Sequence, residues 1–238
     1  MNNHGRIFKS CLTYDEDNDT SPGDSPRMST VVLRRALSIK ELKDTSWLSS
    51  SLIDLVIARF ARFYNTVSFM SIDFVVLSLS TMKKNELEQA TDIRGEKLNY
   101  NNPKKPIVFV YNSRNIHWNL IRVIRYPKPE LQLFEPMGKP SNRHEGLSFR
   151  HMPKSVIDWL DICSPLSDKK SWITVSISAI TRQQQFTTFD CGVACLLYAE
   201  KCGQGQSKED INEFTTQDDI TDYRRTLQDY TKKISNEI

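Results

Sequence analysis

The chain has 238 residues, of which 39% are hydrophobic and 26% are charged, and its formal net charge is +3. This length suits one domain with a hydrophobic core and a tail, and the composition is ordinary for a soluble globular protein. So small a charge does not indicate nucleic-acid binding, no apolar run approaches the length of a membrane span, and the N-terminus lacks the apolar core of a secretion signal. We therefore expect no nucleic-acid or membrane partner, and we expect a monomer.

Polar residues dominate the beginning of the chain. Residues 1–35 include the run "DEDNDTSPGDSPRMS", which is rich in Asp, Ser, Pro and Gly. Such a segment has no core to build and is expected to be a disordered tail. The rest of the chain, 36–238, is expected to form a single domain.

The domain alternates between helical and strand-like patterns. In "SWLSSSLIDLVIARFARFY" apolar residues recur at three- and four-residue steps, which predicts an amphipathic helix with a serine cap. Five apolar runs are typical of strands: "DFVVLSLS" (73–80), "IVFVY" (107–111), "HWNLIRVIR" (117–125), "LQLF" (131–134) and "WITVSISAI" (172–180).

Four further segments are predicted to be helical. They are "KSVIDWLDIC" (154–163), "GVACLLYAEKC" (192–202), "SKEDINEF" (207–214) and "DDITDYRRTLQDYTKKI" (218–234). The second is apolar nearly all round, so it is expected to be buried in the core. The order of the elements predicts an α+β fold, with helices on either side of a mostly antiparallel central sheet.

The five cysteines indicate the compartment. Cys11, Cys163, Cys191, Cys195 and Cys202 form an odd set without a CxxC pair. This argues against a disulfide framework and against a zinc site, so we expect no metal and no cofactor. A reducing intracellular compartment, the cytoplasm or the nucleus, fits such a set.

Cys191 stands apart because it precedes the predicted buried helix. The N-terminus of a helix favours a thiolate through its unpaired N–H groups and its dipole, and Gly192 lets backbone or substrate come close. A cysteine beside an apolar run is by itself usually an inert core residue, which is how we interpret Cys163, Cys195 and Cys202.

Thiol catalysis also needs a base and a group that orients the base. Of the four histidines, His4 lies in the tail, while His144 and His151 flank a loop-like stretch. His117 opens one predicted strand, and Glu135 ends the next one. If these strands pair as a hairpin, Glu135 can reach the His117 ring and fix its tautomer, whereas each residue alone would more often be a surface side chain.

Taken together, these motifs resemble the ubiquitin-like-protein-specific cysteine proteases, which are the SUMO and NEDD8 deconjugating enzymes, with adenovirus protease as a distant relative. That pattern has a His-Trp, an acid nearly twenty residues later, and a Gln six positions before the Cys of an Asp-Cys-Gly. The corresponding residues here are His117-Trp118, Glu135, Gln185 and Asp190-Cys191-Gly192. With "WLSSSLIDLVIARF" and "TTQDDITDYRRTLQDY", the resemblance covers about residues 40–235.

The resemblance implies a papain-like or adenain-like protease fold and a role for each matching residue. Cys191 would attack the carbonyl of a terminal glycine, His117 would take the thiol proton, and Glu135 would hold the imidazole. The Gln185 amide and the backbone N–H of Cys191 would form the oxyanion hole.

The resemblance also implies a substrate. Trp47 and Trp118 would wall a narrow tunnel that admits only a Gly-Gly tail, so the implied partner is a ubiquitin-like modifier and its conjugates, with SUMO first and NEDD8 or ubiquitin next. Structural tryptophans in the core are the alternative for both.

Two departures from the family pattern leave the mechanism standing but put the identity of the modifier in doubt. The acid is Glu135 where the family usually has Asp, and Ser49, Ser50 and Ser51 stand where eukaryotic members have an acidic residue that contacts the modifier. Bacterial acetyltransferase effectors on the same fold also use a His-Glu-Gln-Cys set, although the Trp after His117 and the Gly after Cys191 favour a protease. A third possibility is a module that binds a modifier without cutting it.

Overall fold

The computed structural model describes residues 8–14, 42–75, 81–98, 104–113, 117–126, 130–136, 156–159, 189–213 and 215–237. The helices are a 3-10 helix at Cys11–Thr13, α1 (Ser50–Phe63), α2 (Lys84–Leu87), α3 (Cys191–Gly203), α4 (Lys208–Glu213) and α5 (Gln217–Glu237). The strands are β1 (Ser68–Phe69), β2 (Ile107–Ser113), β3 (His117–Ile124) and β4 (Glu130–Phe134). Among these residues no helix is both long and apolar enough to cross a membrane.

The described strands form one sheet in the order β1-β2-β3-β4. β1 runs parallel to β2, and the pairs β2–β3 and β3–β4 are antiparallel. This confirms the predicted α+β class, with a sheet that is mixed but mostly antiparallel. The register pairs Leu120 with Phe134, so one step further Glu135 stands opposite Asn119, two residues from His117.

The sheet has a core on each face because side chains alternate along a strand. Val108 and Val110 of β2 pack into the core cluster that contains α1, α3 and α5. Ile107 and Phe109 pack into a second cluster with the helical residues 156–159. The latter belong to the predicted helix 154–163, of which the remaining residues lie outside the described part of the chain, as does the predicted strand 172–180.

Helix α3 is buried on every side. Each of its residues from Cys191 to Gly203 is classed as buried, and it packs against β3, α1 and α5. This confirms the helix predicted from the apolar run. Because its whole circumference is covered by protein, α3 is the central element of the first core.

Helix α1 begins as its sequence predicts. The Ser49 side chain accepts a hydrogen bond from the N–H of Leu52 at 3.2 Å, which satisfies one of the unpaired donors of the first turn. The predicted apolar stripe is buried along most of its length. Phe63, in the last turn, is 38% exposed.

The strand predicted at 73–80 is wrong where the structure describes it. Residues 72–75 are helical, and 76–80 lie outside the described residues. The Ser71 hydroxyl caps this turn by accepting from the N–H of Phe74 at 3.1 Å, and buried Asp54 of α1 accepts from the N–H of Ile72 at 2.6 Å. These side-chain acceptors take donors that a strand would use in its ladder.

Residues 8–14 differ from the disordered tail expected over 1–35. Cys11 is 1% exposed and Leu12 6% exposed, and both belong to the core around α3. The Phe8 ring meets the Tyr223 ring edge-on, with centroids 6.1 Å apart. We call residues 8–14 the N-terminal clip; residues 1–7 and 15–35 lie outside the described part of the chain.

A buried carboxylate near the end of α3 holds the N-terminal clip. Glu200, with 0% exposure, accepts hydrogen bonds from the Ser10 hydroxyl at 2.8 Å and from the Cys11 N–H at 2.5 Å. It also accepts from the hydroxyls of Tyr64 at 3.0 Å and Tyr223 at 2.6 Å. Four donors on three separate segments therefore converge on one side chain, and the clip is fixed because the charge of Glu200 needs these donors.

We expect Glu200→Ala to lower the free energy of unfolding by about 3 kcal/mol, because four buried donors lose an ionic acceptor. Urea denaturation measures this loss. The matched control is Glu209→Ala, whose side chain is 68% exposed and whose removal should change stability by less than about 0.5 kcal/mol. Equal stabilities of the two variants would contradict the anchoring role of Glu200.

Candidate active site

His117 and Glu135 meet at one end of the β3–β4 hairpin. The Nε2 atom of His117 lies 2.5 Å from Oε1 of Glu135. The backbone N–H of His117 is held across the β2–β3 connection by the Asn112 side-chain oxygen at 3.2 Å. The antiparallel pairing of β3 and β4 thus brings His117 and Glu135 together, as expected if these strands form a hairpin.

Cys191 is the first residue of α3 and is completely buried. Its thiol lies close enough to the His117 side chain to raise the pKa of the imidazole. Since Glu135 engages Nε2 of the imidazole, Nδ1 is the ring nitrogen left for the sulfur. The three side chains therefore form a chain of contacts from carboxylate to imidazole to thiol.

The surroundings of His117 favour its protonated form. Burial lowers the pKa of the imidazole. The interactions with Cys191 and Glu135 and the charges of both groups raise it by more than burial lowers it, so the pKa lies at about 9. The ring is thus an imidazolium at neutral pH. An imidazolium beside a thiol is the arrangement that stabilises a thiolate.

Leu48 connects the two halves of this site. Its carbonyl accepts a hydrogen bond from Nε1 of Trp118 at 3.2 Å, next to His117 in β3. Its side chain would lie 3.0 Å from a Cβ atom at position 192, next to Cys191. A side chain at position 192 would therefore force Leu48 to shift, and Leu48 contacts both β3 and the start of α3.

The two tryptophans predicted to line a tunnel have different surroundings. Trp47 is 48% exposed, whereas Trp118 is 5% exposed and packs in the core. They adjoin through the Trp118–Leu48 hydrogen bond, since Trp47 precedes Leu48 in the chain. Trp47 therefore exposes its side chain next to Leu48 in the chain, whereas the buried Trp118 holds the Leu48 carbonyl.

Several other candidate residues lie outside the described part of the chain. Gln185, the expected oxyanion donor, lies outside the described residues, and so do His4, His144, His151 and Cys163. Among the residues described, Cys11, Cys191, Cys195 and Cys202 are free thiols.

Cys195 lies one helical turn after Cys191 but differs from it chemically. Burial, and to a smaller extent the nearby Cys191 and Glu135, raise the pKa of the Cys195 thiol well above its usual value. A thiol kept neutral in the core is a packing group, as the sequence suggested for this cysteine.

Sequence reasoning missed an ion pair beside Cys191. Arg224 of α5 donates from Nε to the Asp190 carboxylate at 2.8 Å, and both side chains are only 6% exposed. The position of Arg224 in the sequence could have indicated this pair, because Arg224 lies within the apolar stripe of α5, between the buried residues Tyr223 and Leu227. An arginine on a core-facing stripe requires a partner.

Comparison with solved structures identifies the fold. No family model matches the sequence, and no curated protein matches it. The structure is similar to the SUMO protease Ulp1 with its catalytic cysteine oxidised to a sulfenic acid (TM-score 0.54, 13% identity, covering 89% of this chain and 97% of that one). It is also similar to the C-terminal Ulp1 protease domain in complex with Smt3, the yeast ortholog of SUMO (TM-score 0.52, 11% identity, 89% and 96% covered).

A viral protease has the same fold. The ASFV pS273R protease matches with a TM-score of 0.50 and 20% identity, covering 77% of this chain and 67% of that chain. The chain therefore has the fold of the ubiquitin-like-protein-specific cysteine proteases, as the sequence resemblance implied.

The electrostatics of His117 can be measured without any substrate. We expect its imidazole to titrate at about pH 9 in NMR spectra, and Glu135→Gln to lower this pKa because a hydrogen-bonded negative charge is removed. The matched control is Glu130→Gln, in which the replaced carboxylate pairs with Lys208. It should leave the titration of His117 unchanged.

The same shift sets a dependence of stability on pH. Because the folded pKa is raised above the ordinary 6.5, protonated His117 stabilises the fold fully below pH 6.5. This contribution is lost as the pH rises through about 9. A His117 that titrates at or below 6.5 would show that Glu135 and Cys191 do not raise its pKa by more than burial lowers it.

Proposed function

We propose that this chain is a cysteine protease that cleaves the peptide or isopeptide bond after the C-terminal Gly-Gly of a ubiquitin-like modifier. The supporting observation is the contact chain Glu135–His117–Cys191 at the N-terminus of a buried helix. This arrangement occurs on a fold similar to that of the SUMO protease Ulp1. The contacts supply the three functions that thiol catalysis requires: a nucleophile, a base and a group that orients the base.

The reaction follows from these contacts in two steps. The Cys191 thiolate attacks the carbonyl carbon of the terminal glycine, and imidazolium His117 gives its proton to the leaving amine as the C–N bond breaks. Water then attacks the resulting thioester while His117 takes a proton from it, which releases the modifier carboxylate and the thiol. Glu135 keeps the imidazole oriented and stabilises its positive charge in both steps.

The negative oxygen of each tetrahedral intermediate needs donors. The backbone N–H of Cys191 belongs to the first turn of α3, where N–H groups have no partner within the helix. We assign the second donor to the side-chain amide of Gln185, six residues before Cys191 in the sequence. One such donor contributes about 2.7–4 kcal/mol to a reaction of this type.

We propose SUMO as the first candidate modifier, with NEDD8 and ubiquitin next. The similar Ulp1 domain was solved in complex with Smt3, the yeast ortholog of SUMO. Ser50, where an acidic residue would contact a basic modifier surface, is exposed. An exposed ion pair contributes about 0.2–1 kcal/mol, so its absence leaves SUMO possible and lets the other modifiers compete. The exposed indole of Trp47 is the surface that we assign to the Gly-Gly tail.

The decisive experiment is a panel of ubiquitin-like proteins that carry C-terminal electrophiles. We expect a covalent adduct with at least one modifier, and none with Cys191→Ala, because no other group supplies the attacking atom. The control Cys195→Ala removes a buried thiol of the same helix and should retain adduct formation. Adducts that form as well with a Gly-Ala ending as with Gly-Gly would contradict the proposed tunnel.

The same panel separates the alternative functions. A protein that ignores every probe but acetylates itself with acetyl-CoA would be an acetyltransferase effector. A protein that binds a modifier tightly without forming an adduct would be a binding module.

For the oxyanion donor we expect Gln185→Ala to cost about 2.7–4 kcal/mol of transition-state stabilisation. The loss should appear in kcat with little change in KM, since the donor binds charge that develops during the reaction. Steady-state kinetics on a modifier with a C-terminal fluorogenic amide measure both constants. A change confined to KM would mean that Gln185 binds substrate without contacting the oxyanion.

A further inference from the structure

Arg224 joins three segments around the first turn of α3. Besides the ion pair with Asp190, its guanidinium donates to the carbonyl of Phe189 at 2.9 Å. It also donates to the carbonyls of Lys43 at 3.2 Å and Ser46 at 3.0 Å. It is 5% exposed. One side chain of α5 thus holds the two residues before Cys191 and the turn that leads to Trp47 and Leu48.

Asp190 occupies the N-cap position of α3 but does not act as a cap. A capping residue normally has extended backbone angles and accepts a hydrogen bond from the second or third residue of the helix. Asp190 has φ −88° and ψ −5° and makes no capping hydrogen bond with its side chain. Its carboxylate is paired with Nε of Arg224 instead. Only its carbonyl joins the helix, by accepting from the N–H of Ala194 at 2.9 Å.

This difference matters because the N-terminus of α3 carries the reactive thiol. A capping carboxylate would occupy N–H groups that the proposed reaction needs for the oxyanion, and its charge would oppose a thiolate on the next residue. The ion pair removes both effects, because the Asp190 carboxylate binds Arg224 instead of the helix N–H groups and the guanidinium balances its charge.

We propose that Arg224 is a positioning residue of this site: it holds the Asp190 carboxylate away from the first N–H groups of α3, and it keeps those groups and the helix dipole available to Cys191. The part of this proposal that concerns the oxyanion rests on the proposed protease function. The part that concerns the thiolate depends only on the reactivity of Cys191.

Four titratable groups besides the ion pair lie around Cys191 in the described part of the site. His117 of β3 touches the thiol, and Glu135, beyond β4, acts through His117. Cys195 lies on the same helix, and buried Tyr111 of β2 lies near Cys195 and Glu135. These four groups stay unchanged when only Arg224 and Asp190 are altered, so a change in thiol reactivity reports on the ion pair.

Two other groups with charged side chains lie near the Arg224–Asp190 ion pair in the described part of the chain. Asp44, in the turn that Arg224 binds, accepts a hydrogen bond from Gln228 of α5 at 2.8 Å and is exposed. The next arginine on the helix, Arg225, pairs with Asp222 at 2.7 Å, and both side chains are 70% exposed. Arg225 therefore offers a matched control on the same helix.

The experiment follows the alkylation of Cys191 by iodoacetamide as a function of pH, with peptide mass spectrometry to separate Cys191 from the other cysteines. In Arg224→Met the carboxylate of Asp190 loses its counter-charge. We expect the midpoint pH of alkylation to rise by about 1 unit. Arg225→Met should give the midpoint of the unaltered protein, and circular dichroism checks that each variant is folded.

A second substitution separates positioning from mere bracing of the fold. Adding Asp190→Asn to Arg224→Met removes the uncompensated charge while the bonds to Lys43, Ser46 and Phe189 stay absent. We expect the alkylation midpoint to return toward that of the unaltered protein. If Arg224 only stabilised the fold, the double variant would be at least as impaired as the single one, and that outcome would overturn the proposal. An unchanged midpoint in folded Arg224→Met would also overturn it.

If Arg224→Met does not fold, Arg224→Lys tests the same point. Lysine keeps the positive charge for Asp190 with fewer donors for the carbonyls, so the alkylation midpoint should be retained. A raised midpoint in folded Arg224→Lys would contradict the proposal. Since alkylation needs no modifier, a protein that fails every modifier probe but shows these midpoints would refute the protease function and leave the role of Arg224 standing.

Discussion

The complete burial of helix α3 is the constraint on which the rest of the structure depends. A helix enclosed on all sides needs partners around its whole circumference, and α1, α5 and the β2–β3 face of the sheet supply them. It also has two ends that cannot rely on solvent. At its beginning Leu48 packs closely against Gly192, and near its other end Glu200 accepts hydrogen bonds from hydroxyl and N–H donors. The end that begins with Cys191 and the end that holds Glu200 are therefore parts of one buried helix.

Buried charge is handled differently at these two ends. Glu200 is satisfied by neutral donors. Burial and, to a smaller extent, the nearby Glu200 raise the pKa of the Tyr223 hydroxyl well above its usual value, which keeps that group a donor. Asp190 is satisfied by an arginine. A full counter-charge lies beside Cys191, and a set of uncharged donors surrounds Glu200. Each arrangement avoids the cost of an uncompensated buried charge.

Much of this architecture is readable from the sequence, because local patterns and tertiary environment agree. The apolar run after Cys191 predicts a buried helix, and the alternating runs at β2, β3 and β4 predict the hairpins that bring His117 toward Glu135. Where prediction fails, a long-range side-chain contact decides the local structure. Residues 72–75 turn into a helix because Asp54 takes a backbone donor, and residues 8–14 are ordered because Glu200, far away in sequence, binds them. The ion pair of Arg224 was not predicted because an arginine in an amphipathic helix is usually solvated, and only the fold places the Asp190 carboxylate opposite it.

The N-terminal clip changes where the domain begins in practice. Composition alone would lead one to trim the chain at about residue 35 for expression or crystallisation, as though everything before were a dispensable leader. Such trimming would delete Phe8, Cys11 and Leu12 from the hydrophobic interior and remove the two hydrogen bonds that Ser10 and Cys11 donate to Glu200. An expression boundary that preserves this interior therefore lies before Phe8.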